Sequence, residues 1–227
     1  MSIEKLINIA LNEVGYLEKA DRCALYEKTA NAGGRNYTKY WEDIRPSWQG
    51  QPWCAIFVTW CFTKAFGEDV AKKLLKHYPF TYCPKIATLF EQHNQPKRGD
   101  IVVFYRKKEF AHTGIVVKAD GDYFETVEGN TDGGSSVIAN GGGVHKKSYY
   151  ASALPGTKFL RPNYPEGEKS EMIYNYIDKN MPEWARESVQ WAVDNGIIQG
   201  DGNGLALTDD KLWVLVVLKR FAELLKK

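Results

Sequence analysis

Long hydrophobic runs and a strong net charge are both absent from this sequence. No apolar stretch approaches the roughly eighteen residues that a membrane-spanning helix requires, and residues 1–9 carry polar side chains throughout instead of a signal-peptide core. The formal net charge is only +2, and the mildly basic residues 1–160 show no basic stripe of the kind that nucleic-acid-binding proteins carry. We therefore expect no membrane segment, no nucleic-acid partner, and synthesis in the cytoplasm without a signal peptide.

Cysteine is scarce, and its spacing does not suit cross-linking or metal binding. The chain has four cysteines, Cys23, Cys54, Cys61 and Cys83, and no C-x-x-C pair of the kind that zinc sites use. If Cys54 and Cys61 share one helix, they lie about 10 Å apart along its axis, beyond the ~7 Å that a disulfide bridges. We expect free thiols and no metal or other cofactor.

The stretch from residue 51 to residue 62 is the most informative part of the chain. Its apolar residues recur at helical spacing, which predicts a buried helix, with Pro52 suited to the first helical position and Gly67 to the end. Cys54 then falls in the first turn, where free amides and the helix dipole favour the reactive thiolate. The competing interpretation is that Cys54 is simply a small buried hydrophobic residue.

Helical patterns come first along the chain, and extended patterns follow. Helical segments are predicted at 3–14, 21–30, 52–66, 69–76 and 84–93, and strands at 99–105, 111–117, 123–128, 143–149 and 157–161. This order predicts an α+β domain with an antiparallel sheet. Four aromatic residues precede the Cys54 helix: Tyr37, Tyr40, Trp41 and Trp48. The sequence leaves open whether they belong to the core or to the wall of a groove.

The turn between the second and third strands predicts which residues face each other. Ala119-Asp120-Gly121 is typical of a three-residue hairpin loop with glycine at its left-handed position. That loop places His112 directly opposite Glu128, with Cβ atoms roughly 5 Å apart, and Asn130 on the same face. A two-residue loop would instead turn Glu128 to the other face.

These residues together indicate a chemistry that none of them indicates alone. A nucleophilic thiol needs a base to take its proton, and the base needs a third group to fix its tautomer. Cys54, His112 and either Glu128 or Asn130 supply these three roles. A single histidine in a strand is more often a packed or surface residue, so it is the combination that favours cysteine catalysis.

Four blocks of the sequence resemble a known family, the CHAP domain. They occur in order as Gln51-x-Trp53-Cys54, Arg98-Gly99-Asp100-Ile101-Val102-Val103-Phe104, His112-Thr113-Gly114-Ile115-Val116 and Glu128-Gly129-Asn130-Thr131. CHAP domains are cysteine, histidine-dependent amidohydrolases/peptidases with a papain-like fold. The resemblance implies a CHAP catalytic domain over residues 1–160, with helices packed on an antiparallel sheet. It also implies amide bonds of bacterial peptidoglycan as the substrate.

The resemblance assigns roles to individual residues. It implies that Cys54 is the nucleophile, that His112 is the base, and that Glu128 orients the imidazole with assistance from Asn130. A glutamine shortly before the nucleophile is a common oxyanion donor in papain-like folds, which nominates Gln51 or Gln49. Trp53 belongs to the same motif and is grouped with these substrate-binding candidates. The aspartate-rich calcium loop of several phage relatives is missing, so no metal is expected.

The C-terminal part has a different composition. Residues 161–180 contain a Pro/Gly/Glu-rich linker, and residues 181–227 predict a small helical domain with helices near 182–195 and after the capping residue Thr208. The helix–loop–helix that begins at Trp184 resembles one S-layer homology repeat, which implies binding to wall polysaccharide. An equally good interpretation is that the strongly apolar last helix, from Leu212 to Phe221, forms a homo-oligomer.

Together these features predict a peptidoglycan hydrolase. The favoured form is a phage endolysin that cuts the muramoyl–L-alanine amide and reaches the Gram-positive wall after release from the cytoplasm. The alternatives are an endopeptidase of the D-alanine or cross-bridge bonds, a bacterial autolysin, and a non-catalytic wall-binding protein that keeps the fold.

Overall fold

The computed structural model describes residues 3–137, 141–164, 174–200 and 204–225. The chain forms two compact units, Met1–Gly167 and Glu168–Lys227. The boundary between them falls within the segment that the sequence predicts as a linker.

The described residues of the first unit form five α-helices and six strands. The helices are α1 (Ile3–Asn12), α2 (Lys39–Ile44), α3 (Cys54–Phe66), α4 (Glu68–Leu75) and α5 (Cys83–Ala87). The strands are β1 (Gln92–His93), β2 (Ile101–Arg106), β3 (Glu109–Asp120), β4 (Tyr123–Thr131), β5 (Gly143–Tyr150) and β6 (Lys158–Leu160). All strand pairs are antiparallel, in the order β1-β6-β2-β3-β4-β5. The predicted α+β, papain-like fold class is confirmed.

The helix α3 occupies the centre of this unit. Eleven of its thirteen residues are buried, and it contacts α1, α2 and α4 as well as strands β3 and β4. A helix that is apolar on all sides is stable only inside a core. The core therefore holds the first residue of α3, which is Cys54, in a fixed place beside the sheet.

The predicted helix start is wrong by two residues. Trp53 precedes the helix with φ −125° and ψ 13°, and Cys54 is the first helical residue. Pro52 therefore lies outside the helix and does not occupy its first position. Cys54 therefore lies closer to the free amides of the helix start than the sequence predicts.

Two other predicted helices are wrong in part or entirely. Residues 21–30 form turns, because the Asp21 carboxylate accepts hydrogen bonds from the Cys23 N–H and the Asn31 amide, and such local bonds compete with helix formation. The helix predicted over 84–93 spans only Cys83–Ala87, because Gln92 and His93 leave it to pair with β6 at the sheet edge.

The predicted register of the β3–β4 hairpin is also wrong. Asp120 pairs with Tyr123, so the loop has two residues and not three, and Gly121 takes the positive φ of 57°. A bulge between Val116 and Lys118 then shifts the pairing by one residue. The shorter loop alone would place Glu128 on the opposite face of the sheet from His112, and the bulge reverses that change. Glu128 therefore lies on the same face as His112, although it is next to Gly114 and not directly opposite the histidine.

The second unit is a small helical domain. Its helices α6 (Glu183–Asp194) and α7 (Asp209–Leu224) pack on each other, and a short bridge joins Tyr174 to Leu207. The Thr208 hydroxyl accepts a hydrogen bond from the Lys211 N–H, so the predicted cap is confirmed. Within the described ranges, no helix is long and apolar enough to cross a membrane.

Candidate active site

Cys54 lies in the wall of an open cavity of about 700 Å³. The thiol is largely buried, and no side chain in the described part of the chain caps the start of α3. The first amides of the helix are therefore left to interact with groups in the cavity. The cavity wall consists of Trp41, Ser47, Trp48, Gln51, Pro52, Cys54, Thr81, Tyr82, Cys83, Pro84, Glu109, Phe110 and Ala111.

His112 is fully buried on β3, and in the sequence it directly follows Ala111, a residue of the cavity wall. Its Nε2 atom lies 2.9 Å from Glu128 Oε2. The other ring nitrogen, Nδ1, has no partner in good hydrogen-bond geometry among the residues that the structure describes. The Cys54 thiol is close enough to change the pKa of the ring. Nδ1 is therefore the nitrogen available to exchange a proton with Cys54.

Glu128 is held from both sides. One carboxylate oxygen contacts His112, and the other accepts a 2.6 Å hydrogen bond from the Thr126 hydroxyl. Glycine at position 114 makes room for this arrangement, because a Cβ atom there would lie 2.6 Å from Glu128 Cγ. The glycine of the His112-Thr113-Gly114 block is therefore required, because a larger residue would clash with Glu128.

An aromatic ring packs against the imidazole and is itself held by a second one. The Phe104 ring stacks on His112 with centroids 5.7 Å apart, and Tyr149 packs on Phe104 at 5.3 Å. These contacts restrict rotation of the ring and keep water from its face. The histidine therefore presents a fixed edge to the thiol.

The protonation states of Cys54 and His112 depend on each other. Hydrogen bonding with the Cys83 thiol holds the pKa of Cys54 well below its ordinary value, and the contact with His112 lowers it further against the effect of burial. Burial alone would lower the pKa of His112, but Cys54 and Glu128 raise it to about 9. Both shifts favour a thiolate and an imidazolium at neutral pH.

Cys83 belongs both to the buried core and to the cavity wall. It is the first residue of α5, lines the same cavity as Cys54, and interacts with its thiol. The contact raises the pKa of Cys83 well above the ordinary value, so this thiol stays protonated and can donate to a Cys54 thiolate. Cys61, by contrast, is buried in the core away from the cavity. All four cysteines are free.

The two glutamines nominated as oxyanion donors occupy different surroundings. Gln51 lines the cavity with Cys54, and its backbone carbonyl accepts a hydrogen bond from Trp41 Nε1. Gln49 is committed elsewhere, because its side-chain amide bonds both backbone groups of Thr38 and the Glu42 carboxylate. Of the two, Gln51 is the one placed to reach a bound substrate.

Trp53 and Asn130 lie in the interior. The Trp53 indole donates to Glu18 and stacks on Tyr40, so its buried side chain supports the start of α3 and does not line the cavity. Asn130 takes a left-handed φ of 57°, and its side-chain amide oxygen Oδ1 accepts a hydrogen bond from the Gly142 N–H. Its Nδ2 has no partner among the described residues, and its assisting role stays a prediction.

The four aromatic residues before α3 have different surroundings. Tyr40 and Trp41 are buried in the core, although Trp41 also borders the cavity, and Trp48 is partly exposed in the cavity wall. Tyr40 and Trp41 therefore belong to the core, whereas Trp48 forms part of the wall of a groove. Across the described ranges, no group of three His, Cys, Asp or Glu side chains is close enough to hold a metal ion.

The geometry fits acyl transfer. A thiolate at a helix start, an imidazolium fixed by a carboxylate, and free amides beside the thiol are the groups needed to attack a carbonyl, protonate its leaving group and hold the oxyanion. The open cavity gives an extended substrate access to the sulfur.

Two family models match this chain. Residues 46–130 match the CHAP domain, a range that contains Cys54, His112, Glu128 and Asn130, and residues 177–206 match the S-layer homology domain. A comparison with curated proteins gives no match. The chain thus contains one segment that matches the CHAP domain and a C-terminal segment that matches the S-layer homology domain.

Two solved structures show a distant likeness. Ly7917 has 12% identity and a TM-score of 0.40, over 71% of this chain and 63% of that chain. The wild-type endolysin LysIME-EF1 has 15% identity and a TM-score of 0.38, over 73% of this chain and 66% of that chain. The chain spans just under two thirds of the length of either structure.

The Cys83 contact makes a prediction about thiol reactivity. Cys83→Ala removes the donor that lowers the pKa of Cys54, so the midpoint for alkylation of Cys54 by iodoacetamide should move to higher pH. Cys83→Ser keeps a donor and should move it less. The measurement is mass spectrometry of the Cys54 peptide across a pH series, with Cys61→Ala as the matched control. Equal midpoints in Cys83→Ala and the wild type would contradict the assignment.

Proposed function

We propose that this chain, with its CHAP domain and S-layer homology region, is a peptidoglycan hydrolase that cuts an amide bond by cysteine catalysis. The observation that carries the proposal is the set of three buried side chains, Cys54, His112 and Glu128, at the edge of an open cavity. Burial of a histidine with a carboxylate is costly unless the two groups are paired. A buried histidine–carboxylate pair beside a thiol of lowered pKa is typical of a catalytic site.

The proposed reaction has two steps. The Cys54 thiolate attacks the amide carbonyl, and the oxyanion accepts hydrogen bonds from the backbone N–H groups at the start of α3, with Gln51 as the second donor. The imidazolium of His112 gives its proton to the departing amine, which leaves a thioester on Cys54. Neutral His112 then takes a proton from water, the hydroxide attacks the thioester, and the acid and the thiolate are released.

We propose the muramoyl–L-alanine amide as the bond that is cut. The cavity is open and partly aromatic, with Trp48 and Tyr82 on its rim, which suits either a sugar ring or an extended peptide. The alternative within the same mechanism is an endopeptidase of the stem peptide or cross-bridge. An alternative of another class is a non-catalytic wall-binding protein.

We also propose a biological setting, a phage endolysin that acts on the Gram-positive wall after release from the cytoplasm. The match to the S-layer homology domain supports attachment to wall polysaccharide through the second unit. Attachment would raise the local concentration of substrate around the catalytic unit.

A homo-oligomer through α7 is a further proposal for the second unit. One face of α7 packs in the core of this unit, whereas apolar side chains on its other face are exposed: Trp213, Val214, Val217, Leu218, Phe221 and Leu224. Positions 214, 217, 221 and 224 alternate by three and four residues, the spacing of a helix–helix seam. A second copy of the same helix fits this pattern.

The central prediction concerns products released from purified Gram-positive peptidoglycan. The wild type should release intact stem peptides from the glycan, and Cys54→Ala should release none above background, because the nucleophile is lost. Mass spectrometry of the soluble fragments makes the measurement. Cys61→Ala, which alters a buried thiol outside the cavity, is the matched control and should keep its activity if the protein folds.

Each outcome has a separate meaning. Glycan that carries shortened or un-crosslinked peptides would replace the amidase assignment with an endopeptidase. If the protein binds the wall but the wild type releases no more fragments than Cys54→Ala, catalysis is rejected and the non-catalytic wall-binding protein is favoured.

The oligomer prediction is tested by sedimentation velocity on the full chain. Val217→Lys combined with Phe221→Lys should convert the wild-type oligomer to a monomer, because two charges would be buried in the seam. Arg220→Glu alters an exposed polar side chain of the same helix and should leave the oligomer intact. A wild type that is monomeric at all concentrations measured would rule out the seam.

A further inference from the structure

The cavity beside Cys54 carries one acidic side chain. Glu109, the first residue of β3, is the single Asp, Glu, Lys, Arg or His among the thirteen described residues that line this cavity. The remaining wall is aromatic, aliphatic, hydroxyl, amide or thiol in character. A lone carboxylate in a substrate cavity is a feature that selects a ligand by its charge.

The negative charge of Glu109 is not neutralised by the protein. Other acidic groups of this unit are paired, as Glu13 is with Lys39, Glu125 with Lys146 and Asp100 with Arg161. In the ranges that the structure describes, no cationic side chain lies within 4.0 Å of the Glu109 carboxylate. Its field reaches the inner wall of the cavity, because it contributes to the raised pKa of Cys83.

Lys107 and Lys108 directly precede Glu109 in the sequence, but among the described residues neither lines the cavity nor forms an ion pair with the Glu109 carboxylate. Arg45 lies over the Trp48 ring, 4.3 Å from its centroid, and does not line the cavity. Arg106 pairs with Glu109 across the hairpin backbone but lines a different groove with Tyr149. The carboxylate is therefore available to a cation that arrives with the substrate.

The surroundings of Glu109 suit a particular kind of cation. Trp48 and Tyr82, on the rim of the cavity, are 41% and 59% exposed, and because Arg45 already lies over the Trp48 ring, Tyr82 is the ring left for a substrate amine. A flat aromatic face attracts an ammonium group and covers the aliphatic stem that carries it. The Tyr82 ring and the carboxylate together match a primary amine on a hydrocarbon stem.

The position of Glu109 on its strand gives the spacing. The partners of Glu109 and His112 on β2, Arg106 and Phe104, are two residues apart because β3 has a bulge here, so Glu109 and His112 are separated by roughly 7 Å at about 3.3 Å per residue. An extended peptide covers the same distance in about two residues. The amine would therefore lie about two residues from the scissile amide, or closer if it ends a long side chain.

We propose that Glu109 forms a subsite that binds a free ammonium group of the wall peptide, beside the bond attacked by Cys54. The identity of the ligand as a wall peptide depends on the proposed function. The subsite makes Glu109 a specificity residue with no part in bond cleavage, so it discriminates between walls whose peptide amines are free and walls whose amines are capped.

The test measures binding without turnover, in the full chain with Cys54→Ala. The probes are soluble disaccharide–peptide fragments of Gram-positive peptidoglycan, either untreated or with every amine acetylated by acetic anhydride. Isothermal titration calorimetry at low salt should show about two- to fivefold tighter binding of the untreated fragments, the range of an exposed ion pair. The preference should shrink at high salt, because the carboxylate is screened.

Two further variants isolate the carboxylate. Cys54→Ala with Glu109→Gln should bind both probes with the affinity that Cys54→Ala shows for the acetylated one. Cys54→Ala with Glu91→Gln changes an exposed glutamate outside the cavity and should keep the preference. Equal affinities for the two probes in Cys54→Ala, a preference that survives Glu109→Gln, or no binding of either probe would each overturn the subsite.

Failure of the subsite and failure of the proposed function give different results. An amine preference that depends on Glu109, with no release of fragments by the wild type, would reject hydrolysis and keep the subsite. Release that depends on Cys54, with no amine preference in binding, would keep hydrolysis and reject the subsite.

Discussion

The hydrogen bond between His112 and Glu128 is the interaction on which the rest of the site depends. Both side chains are fully buried, and His112 Nε2 lies 2.9 Å from Glu128 Oε2. Removing one partner of a buried charged pair costs about 3 to 5 kcal/mol in typical proteins, because the other charge is left without compensation. The fold therefore meets several requirements at once: Gly114 leaves space for the glutamate, Thr126 donates to its second oxygen, and Phe104 holds the ring.

The nucleophile is fixed by a different part of the structure. The helix α3 is surrounded by core, and its first residue is Cys54, so packing alone aligns the thiol with the free amides of a helix start. Cys83 begins a second, shorter helix at the same cavity and adds a donor to the thiolate. Two helix starts and one strand pair thus come together around Cys54, and Glu109 lies in the same cavity wall as the two thiols.

The sequence allowed much of this fold to be predicted, and the failures have physical causes. Long periodic segments such as α3 and β3 were predicted because burial imposes their spacing. The hairpin register was wrong because the loop is shorter than expected and a bulge near Val117 adds a residue. The face shared by His112 and Glu128 was still predicted correctly, since the two errors cancel. The contact between Cys54 and Cys83 was missed, because it arises from packing of a distant segment and has no signal in local spacing.

The measurement that tests the central claim most directly is an NMR titration of the His112 imidazole in the wild type and in Cys54→Ala. If a thiolate and a carboxylate both stabilise the imidazolium, His112 should be protonated at neutral pH in the wild type and lose its proton near pH 9. Its pKa should fall in Cys54→Ala, because one of the groups that raise it is gone. A His112 that is already neutral at pH 7 in the wild type, or that titrates identically in both proteins, would contradict the account.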